Sequence, residues 1–361
     1  MTMRGALFED AQQNQWGSRP DEEREREERQ MEKRQRAQFS GIGLAAAAFM
    51  LITVIAQIGM AVFANVMGTI PGGGIDFFKS NSLLFMSAIP MYLIAFPITL
   101  VILQGIPECR EKPQESWGGG GFLAVLVISL GLGVVGNLMG QAVEYLKPAS
   151  NLSGEELGEL LGRTSLWINL LVTVVMAPVV EELLFRKLLM DRLMGYGQWA
   201  AVLVSGLMFG MAHGNFGQFF YTFGIGLVWA YMYARTGRIS LTIGTHMLFN
   251  LIGGVFIVEV VKGLEGDVGD FWLLRMLEQA FSVDLSGVVT LISSLLLFVY
   301  LLVMFGCVIG TIALLIVFRK KIRFSPGIWP VKKGRMARVV FLNPGMILYF
   351  LVCIALFVLS W

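Results

Sequence analysis

Long apolar runs separated by shorter polar stretches give this chain its pattern. A helix needs about 20 predominantly apolar residues to cross the hydrocarbon core of a bilayer. Hydropathy predicts such helices in nine segments, of which the fifth is short and the eighth is long: 40–66, 83–105, 122–142, 166–190, 198–213, 216–234, 239–261, 287–318 and 341–361. The pattern predicts an all-α integral membrane protein, a multi-pass bundle of about eight or nine transmembrane helices.

Composition and charge agree with this class of protein. The 361 residues are 55% hydrophobic and 15% charged, whereas a soluble domain carries about 25% charged residues. Residues 1–38 and 319–338 hold 16 of the 28 Lys and Arg side chains, so most of the charge belongs to a tail and a loop. We therefore predict a charged cytoplasmic tail over 1–38, a transmembrane domain over 39–361, and no nucleic-acid partner.

The distribution of positive charge also predicts an orientation. If the N-terminus is cytoplasmic, alternation of the nine segments places 23 Lys and Arg on the cytoplasmic side and 5 outside. The positive-inside rule describes this asymmetry, so we predict a multi-pass protein of the cell membrane with its N-terminus inside. The segment 270–281 is predicted to be an amphipathic helix at the surface of the lipid bilayer. No internal repeat is visible in the sequence, which disfavours a transporter.

The stretch 177–186 in the fourth apolar segment contains three ionisable side chains, Glu181, Glu182 and Arg186. A charge in hydrocarbon is costly, so such residues face the interior of a helical bundle and usually have a function. Glu182 and Arg186 are spaced i, i+4, which predicts an ion pair on one helical face. Glu181 is rotated by about 100° from Glu182 and is expected to face a different neighbour. Pro178 is expected to bend the helix just before the pair.

The two histidines of the chain also lie deep in apolar segments. His213 ends the fifth segment, and His246 and Asn250 share one face of the seventh. At 1.5 Å per residue, Glu181, His213 and His246 lie roughly 16, 24 and 12 Å from the predicted cytoplasmic boundaries, so tilted helices are needed to bring them together. Each of these polar residues, taken alone, could serve only to pack against or hydrogen-bond to a neighbouring helix. Together, in a chain nearly free of intramembrane charge, they predict a buried polar active-site cavity.

Two kinds of chemistry fit this set of side chains. A carboxylate and an imidazole beside one water can share its proton and make it a nucleophile, while a second imidazole and a carboxamide donate hydrogen bonds to an oxyanion. This chemistry would hydrolyse a peptide bond inside the membrane. Alternatively, Glu181, His213 and His246 could hold a divalent metal such as zinc with a water in its open position. The absence of a His-Glu-x-x-His helix favours the reading that requires no cofactor.

The three polar stretches resemble the motifs of a known family. The CAAX prenyl endopeptidase and bacteriocin-processing family of intramembrane proteases (CPBP, or Abi, family) is marked by EExxxR, FxxxH and HxxxN/D in this order. In this sequence the matching stretches are EELLFR at 181–186, FGMAH at 209–213 and HMLFN at 246–250. The resemblance covers a protease-like core over roughly 165–255. The sequence departs from the family at Lys187, where the family often has Gly.

The resemblance implies an activity and a role for each site residue. Glu181 and His213 would activate the water, His246 and Asn250 would form the oxyanion site, and Glu182 and Arg186 would support them. The implied enzyme is a CAAX-protease-like intramembrane endopeptidase that acts on a membrane-associated peptide or protein. The family is commonly called a metalloprotease family, and the resemblance also permits a metal-free glutamate mechanism. The alternative is a catalytically silent membrane scaffold or a bacteriocin self-immunity protein of the same fold.

Overall fold

The chain is a bundle of helices. The computed structural model describes residues 21–69, 83–109, 115–147, 156–265, 276 and 285–361, and all regular secondary structure in these ranges is helical. Nine helices of 15 or more residues lie there: α1 Asp21–Thr69, α2 Leu84–Gln104, α3 Gly119–Glu144, α4 Leu166–Arg192, α5 Gln198–Ala212, α6 Phe216–Thr236, α7 Ile239–Leu264, α8 Ser286–Phe318 and α9 Pro344–Leu359. Each overlaps one of the predicted apolar segments.

Several of these helices have the length and composition of membrane spans. Among the described residues, the six helices that meet both conditions are α1, α2, α3, α4, α7 and α8, whereas α5 and α9 are apolar but shorter. The prediction of a multi-pass helical membrane protein is thereby confirmed. The exact number of eight or nine spans and the cytoplasmic N-terminus stay predictions. Apart from Met276, the predicted amphipathic helix at 270–281 lies outside the described residues.

The described part of the charged tail continues directly into the first long helix. Residues 21–38 form the start of α1, so the predicted boundary at 38 falls inside this helix, and residues 1–20 lie outside the described part. Two amides near this boundary are buried against other segments. Gln35 donates a hydrogen bond to the carbonyl of Trp329 at 3.0 Å, and Gln38 donates one to the carbonyl of Pro107 at 2.7 Å.

Helices α3 and α6 cross at backbone distance because glycines line their contact. A Cβ atom at Gly136 would lie 2.5 Å from the backbone of Tyr221, and one at Gly140 would lie 2.6 Å from the carbonyl oxygen of Gly217. Small residues allow such close approach, and van der Waals packing then holds membrane helices together. This contact fixes α6, the helix that supplies a large buried tryptophan to the centre of the molecule, Trp229.

The backbone of α4 changes its winding on both sides of the two glutamates. Leu170–Met176 and Leu183–Leu188 are π-helical, and the turn between them, Ala177–Glu182, is α-helical. Pro178 is the second residue of this middle turn and has no N–H to donate to a preceding carbonyl. Similar π-helical stretches follow Asn250 in α7 and make up much of α2. Wide turns of this kind rotate the following side chains and frequently occur at functional sites.

Candidate active site

Glu182 and Arg186 form a fully buried ion pair at the centre of the bundle. Both side chains have an exposed fraction of 0%, and Arg186 Nη1 lies 3.2 Å from Glu182 Oε1, so the predicted pair is confirmed. Arg186 Nη2 also donates to the carbonyl of Gly226 at 3.4 Å, and the guanidinium carbon lies 4.4 Å from the centre of the Phe209 ring. A buried charge needs such partners because its desolvation is costly. The pair therefore ties α4 to α5 and α6.

His246 reaches the same carboxylate from α7. Its Nδ1 lies 3.0 Å from Glu182 Oε1, and its ring lies 4.4 Å from the ring of Trp229. An ionised carboxylate can only accept a hydrogen bond, so the hydrogen of a neutral His246 is on Nδ1 and the lone pair is on Nε2. Trp229 is itself fixed, because its Nε1 donates to Ser129 Oγ at 2.9 Å. Glu182 thus orients the imidazole and leaves Nε2 available.

Glu181 shares the neighbour His246 with Glu182 but faces Tyr92 instead of Arg186, in agreement with its rotation on the helix. Its side chain is 17% exposed, compared with 0% for Glu182. Tyr92 of α2 donates a long hydrogen bond of 3.5 Å to Glu181 Oε1, and Glu181 Oε2 lies 3.9 Å from His246 Nε2. A separation of 3.9 Å is too long for a direct hydrogen bond. One water that hydrogen-bonds to both atoms can bridge this separation.

His213 contacts the same Phe209 ring as the guanidinium of Arg186. Its Nδ1 is 2.8 Å from the carbonyl oxygen of Phe209, which can only accept, so a neutral His213 also has its lone pair on Nε2. The Phe209 ring lies edge-to-face against both imidazoles, with centroids 5.1 Å from His213 and 5.9 Å from His246. In the described part of the chain, no hydrogen bond or ion pair joins His213 to Glu181.

Asn250 satisfies a carbonyl that the proline of α4 leaves without a donor. In the π-helical turn before Pro178 each N–H bonds five residues back, as Ala177 does to Val172, and Pro178 would be the next donor, to Thr173. Proline has no N–H to supply. The side chain of Asn250 donates to this Thr173 carbonyl instead, at 2.8 Å. One N–H of the amide therefore ties α7 to α4, and its second N–H is left for other partners.

Imidazoles beside carboxylates provide donor atoms of the kind that zinc binds. Each imidazole engages its Nδ1 and leaves Nε2 free, which is how metal-bound histidines are usually oriented. In the described ranges, however, no group of three His, Cys, Asp or Glu side chains is placed so that it could hold a metal ion. The ligand set predicted for zinc, Glu181, His213 and His246, therefore does not fit a metal in this geometry.

Comparison with known proteins supports the resemblance seen in the motifs. Residues 163–252 match the model of a family described as "Type II CAAX prenyl endopeptidase Rce1-like". The predicted resemblance is confirmed. A protein of Bacillus subtilis (strain 168) named "Putative membrane peptidase YdiL" is 24% identical over 181 residues, which cover 47% of this chain and 71% of that protein. No solved structure matches significantly. All six residues predicted for the site lie in the Rce1-like segment, residues 163–252.

Some residues of the site could not be predicted from the sequence. Tyr92 and Ser129 are hydroxyl groups in apolar helices outside the Rce1-like segment, and no motif singles them out. Trp229 lies inside it, between the second and the third motif. Phe209 is the first residue of the FxxxH motif. Its ring contacts Arg186, His213 and His246, which explains why an aromatic side chain suits that position.

Proposed function

We propose that this protein is an intramembrane endopeptidase that hydrolyses a peptide bond of a membrane-associated substrate with a water activated by Glu181. The observation that carries the proposal is the separation of 3.9 Å between Glu181 Oε2 and His246 Nε2, two proton-accepting atoms that one water lying beside them can bridge with a hydrogen bond to each. The match of residues 163–252 to an endopeptidase family supports the reaction class.

Glu181 is the general base in this mechanism. Its carboxylate removes a proton from the bridging water while the water oxygen attacks the carbonyl carbon of the scissile peptide bond. The hydroxyl of Tyr92 donates a hydrogen bond to Glu181 Oε1. When the tetrahedral intermediate collapses, the protonated Glu181 returns the proton to the leaving amine. Atoms and charges balance without a cofactor.

The second N–H of Asn250 stabilises the negative charge that forms on the substrate carbonyl oxygen, because it is a hydrogen-bond donor. The family resemblance pairs Glu181 with His213 at the water and assigns His246 and Asn250 to the oxyanion. The contacts described above support a closer relation of Glu181 to His246, because their atoms face each other across the gap. A neutral His213 or His246 has a lone pair on Nε2 and cannot donate to the oxyanion, so these imidazoles suit the water, and Asn250 is the donor for the oxyanion.

A cleavage assay in isotopically labelled water tests the proposed activity. The purified protein is reconstituted into liposomes with a library of membrane-anchored peptides in ¹⁸O water, and the products are analysed by mass spectrometry. We expect discrete cleavage products whose new carboxyl end carries ¹⁸O. If no peptide is cleaved and Glu181→Gln cells keep the wild-type phenotype, the alternative of a catalytically silent scaffold is correct.

A further inference from the structure

A large cavity lies apart from the proposed active site and shares no residue with it. It has a volume of about 720 Å³ and lies among the start of α3, the start of α5, the C-terminal half of α6 and the end of α8. Apolar side chains line most of it, and they include Val125, Ile128, Val202, Leu203, Leu227 and Leu315. The volume is in the range of cavities that bind small molecules. Its composition suits a hydrocarbon chain.

One end of this cavity is basic. Arg319, Lys320, Lys321 and Arg323 directly follow α8, and Lys321 and Arg323 line the cavity. Its one acidic residue among the described lining positions, Glu115, pairs with Arg235 of α6, whose Nε donates to Glu115 Oε2 at 3.1 Å. The hydrogen bonds from Arg235 lower the pKa of Glu115, so this pair carries no net charge. Among the lining residues that the structure describes, the excess charge at the rim is therefore positive.

Aromatic side chains place this rim at the level of lipid headgroups. Trp117 packs against Tyr231 with ring centroids 6.1 Å apart, and Trp199 packs against Phe324 at 5.4 Å. All four rings line the cavity. Tryptophan and tyrosine concentrate at the membrane–water interface because each has an apolar body and a polar tip. The cavity thus passes from a basic, aromatic mouth into an apolar interior.

We propose that this cavity binds an anionic phospholipid, with its phosphate at Lys321 and Arg323 and an acyl chain in the apolar interior. Basic pockets between membrane helices attract anionic headgroups, and each Lys or Arg near the membrane surface strengthens the attraction. A neutral lipid would leave the two basic side chains without a counter-charge. In the described part of the chain, no acidic side chain forms an ion pair with Lys321 or Arg323. The proposal does not depend on the proposed protease activity.

Native mass spectrometry of the full-length protein tests this proposal. The detergent-solubilised protein is titrated separately with phosphatidylglycerol, phosphatidylcholine and inorganic phosphate. We expect one phosphatidylglycerol to be retained at concentrations where phosphatidylcholine and phosphate are not. The double variant Lys321→Gln/Arg323→Gln is expected to weaken phosphatidylglycerol binding by about tenfold or more, because it removes both headgroup charges.

Two further variants separate a seated lipid from general attraction to charge. Lys332→Gln/Arg335→Gln removes the same charge from residues that pair with Glu28 and Glu32 outside the cavity, and it should bind phosphatidylglycerol like the wild type. Leu203→Trp fills the apolar interior and should abolish retention. Equal retention of both lipids, an unchanged Lys321→Gln/Arg323→Gln variant, or displacement of the lipid by inorganic phosphate would overturn the proposal. If Leu203→Trp does not fold, the paired charge variants decide alone.

Discussion

At the scale of single residues, two adjacent glutamates have different environments and different expected roles. Glu182 is fully buried between Arg186 and His246, whereas Glu181 is 17% exposed and faces Tyr92. The rotation of about 100° between consecutive helical residues separates them. Glu182 therefore has the contacts of a residue that fixes the structure, and Glu181 has the access that a base needs.

Replacing the two glutamates should separate stability from activity. Glu182→Ala leaves the guanidinium of Arg186 buried without its counter-charge, and loss of one partner of a buried ion pair costs about 3–5 kcal/mol. Glu181→Ala should lower the free energy of unfolding by much less while it abolishes cleavage. Equilibrium unfolding in detergent measures the stability of both variants, and the peptide-cleavage assay measures their activity. Equal destabilisation by the two variants would contradict the assignment.

Tyr92 provides a second test at this scale, because it is a residue outside the Rce1-like segment that contacts the proposed base. Tyr92→Phe removes only the hydroxyl that binds Glu181. A hydrogen bond to a charged group contributes about 1.5–3 kcal/mol, and since this one is long we expect kcat to fall about tenfold with little change in KM. Tyr300→Phe on α8 is the matched control and should keep the wild-type kcat. An unchanged kcat in Tyr92→Phe would exclude the positioning role.

Some of this residue chemistry could be predicted from the sequence and some could not. The i, i+4 spacing predicts the pair of Glu182 and Arg186, because both residues belong to one helix. The contact between Glu182 and His246 joins two helices 64 positions apart in sequence, so it depends on packing that spacing does not encode. Depth counting placed His213 well beyond His246, yet both imidazoles touch Phe209. Helix tilt and π-helical turns change depth in ways that a count of residues omits.

At the scale of elements, Pro178 and Asn250 act together across α4 and α7. Proline removes the donor for the Thr173 carbonyl, and the Asn250 amide replaces it. The sequence predicts a bend at Pro178 and places Asn250 on the face of His246. It does not predict the π-helical winding that makes Thr173 the unpaired carbonyl, because hydropathy is the same for α and π turns.

This pairing predicts a coupling between two substitutions. Asn250→Ala should destabilise the protein by about 1–3 kcal/mol, the penalty for a buried carbonyl without a partner. In a Pro178→Ala background the new backbone N–H can take over this hydrogen bond, so Asn250→Ala should cost markedly less. A double-mutant cycle of unfolding free energies measures the difference. Additive effects would show that the two residues are independent.

The crossing of α3 and α6 gives another prediction at this scale. Gly136→Ala places a methyl group 2.5 Å from the backbone of Tyr221, so the helices must move apart. Overpacking of this kind costs about 1–3 kcal/mol, and we expect a lower melting temperature in detergent. Gly306→Ala in α8 is the control, because a Cβ atom there meets nothing within 4 Å. Equal melting temperatures of the two variants would contradict the close contact.

At the scale of the whole molecule, the class of fold follows from the sequence more securely than its details. Nine apolar segments are predicted, and each overlaps a long helix of the described ranges, because hydrophobic length is the feature that membrane insertion requires. Six of these helices have the length and composition to cross a membrane. The extension of α1 back to Asp21 was not predicted as part of the domain, since its charged residues have no apolar periodicity.

The arrangement of the whole molecule places the proposed base where several helices meet. α2, α4, α5, α6 and α7 each supply a side chain to the site, although the Rce1-like segment begins only at residue 163. The lipid cavity lies at the ends of α3, α5, α6 and α8. Two of these helices, α5 and α6, therefore belong to both regions. Hydrolysis and lipid binding remain separable in the experiments described above.

The rate of peptide cleavage by Glu181→Gln, compared with that by Glu259→Gln, tests whether Glu181 is the general base. Glu259 is a carboxylate of α7 that pairs with Lys262 and lies outside the site. We expect Glu181→Gln to lose about 10²- to 10⁴-fold in kcat, the usual contribution of a general base, and Glu259→Gln to cleave at the wild-type rate. Cleavage by Glu181→Gln within about twofold of the wild-type rate would contradict this role.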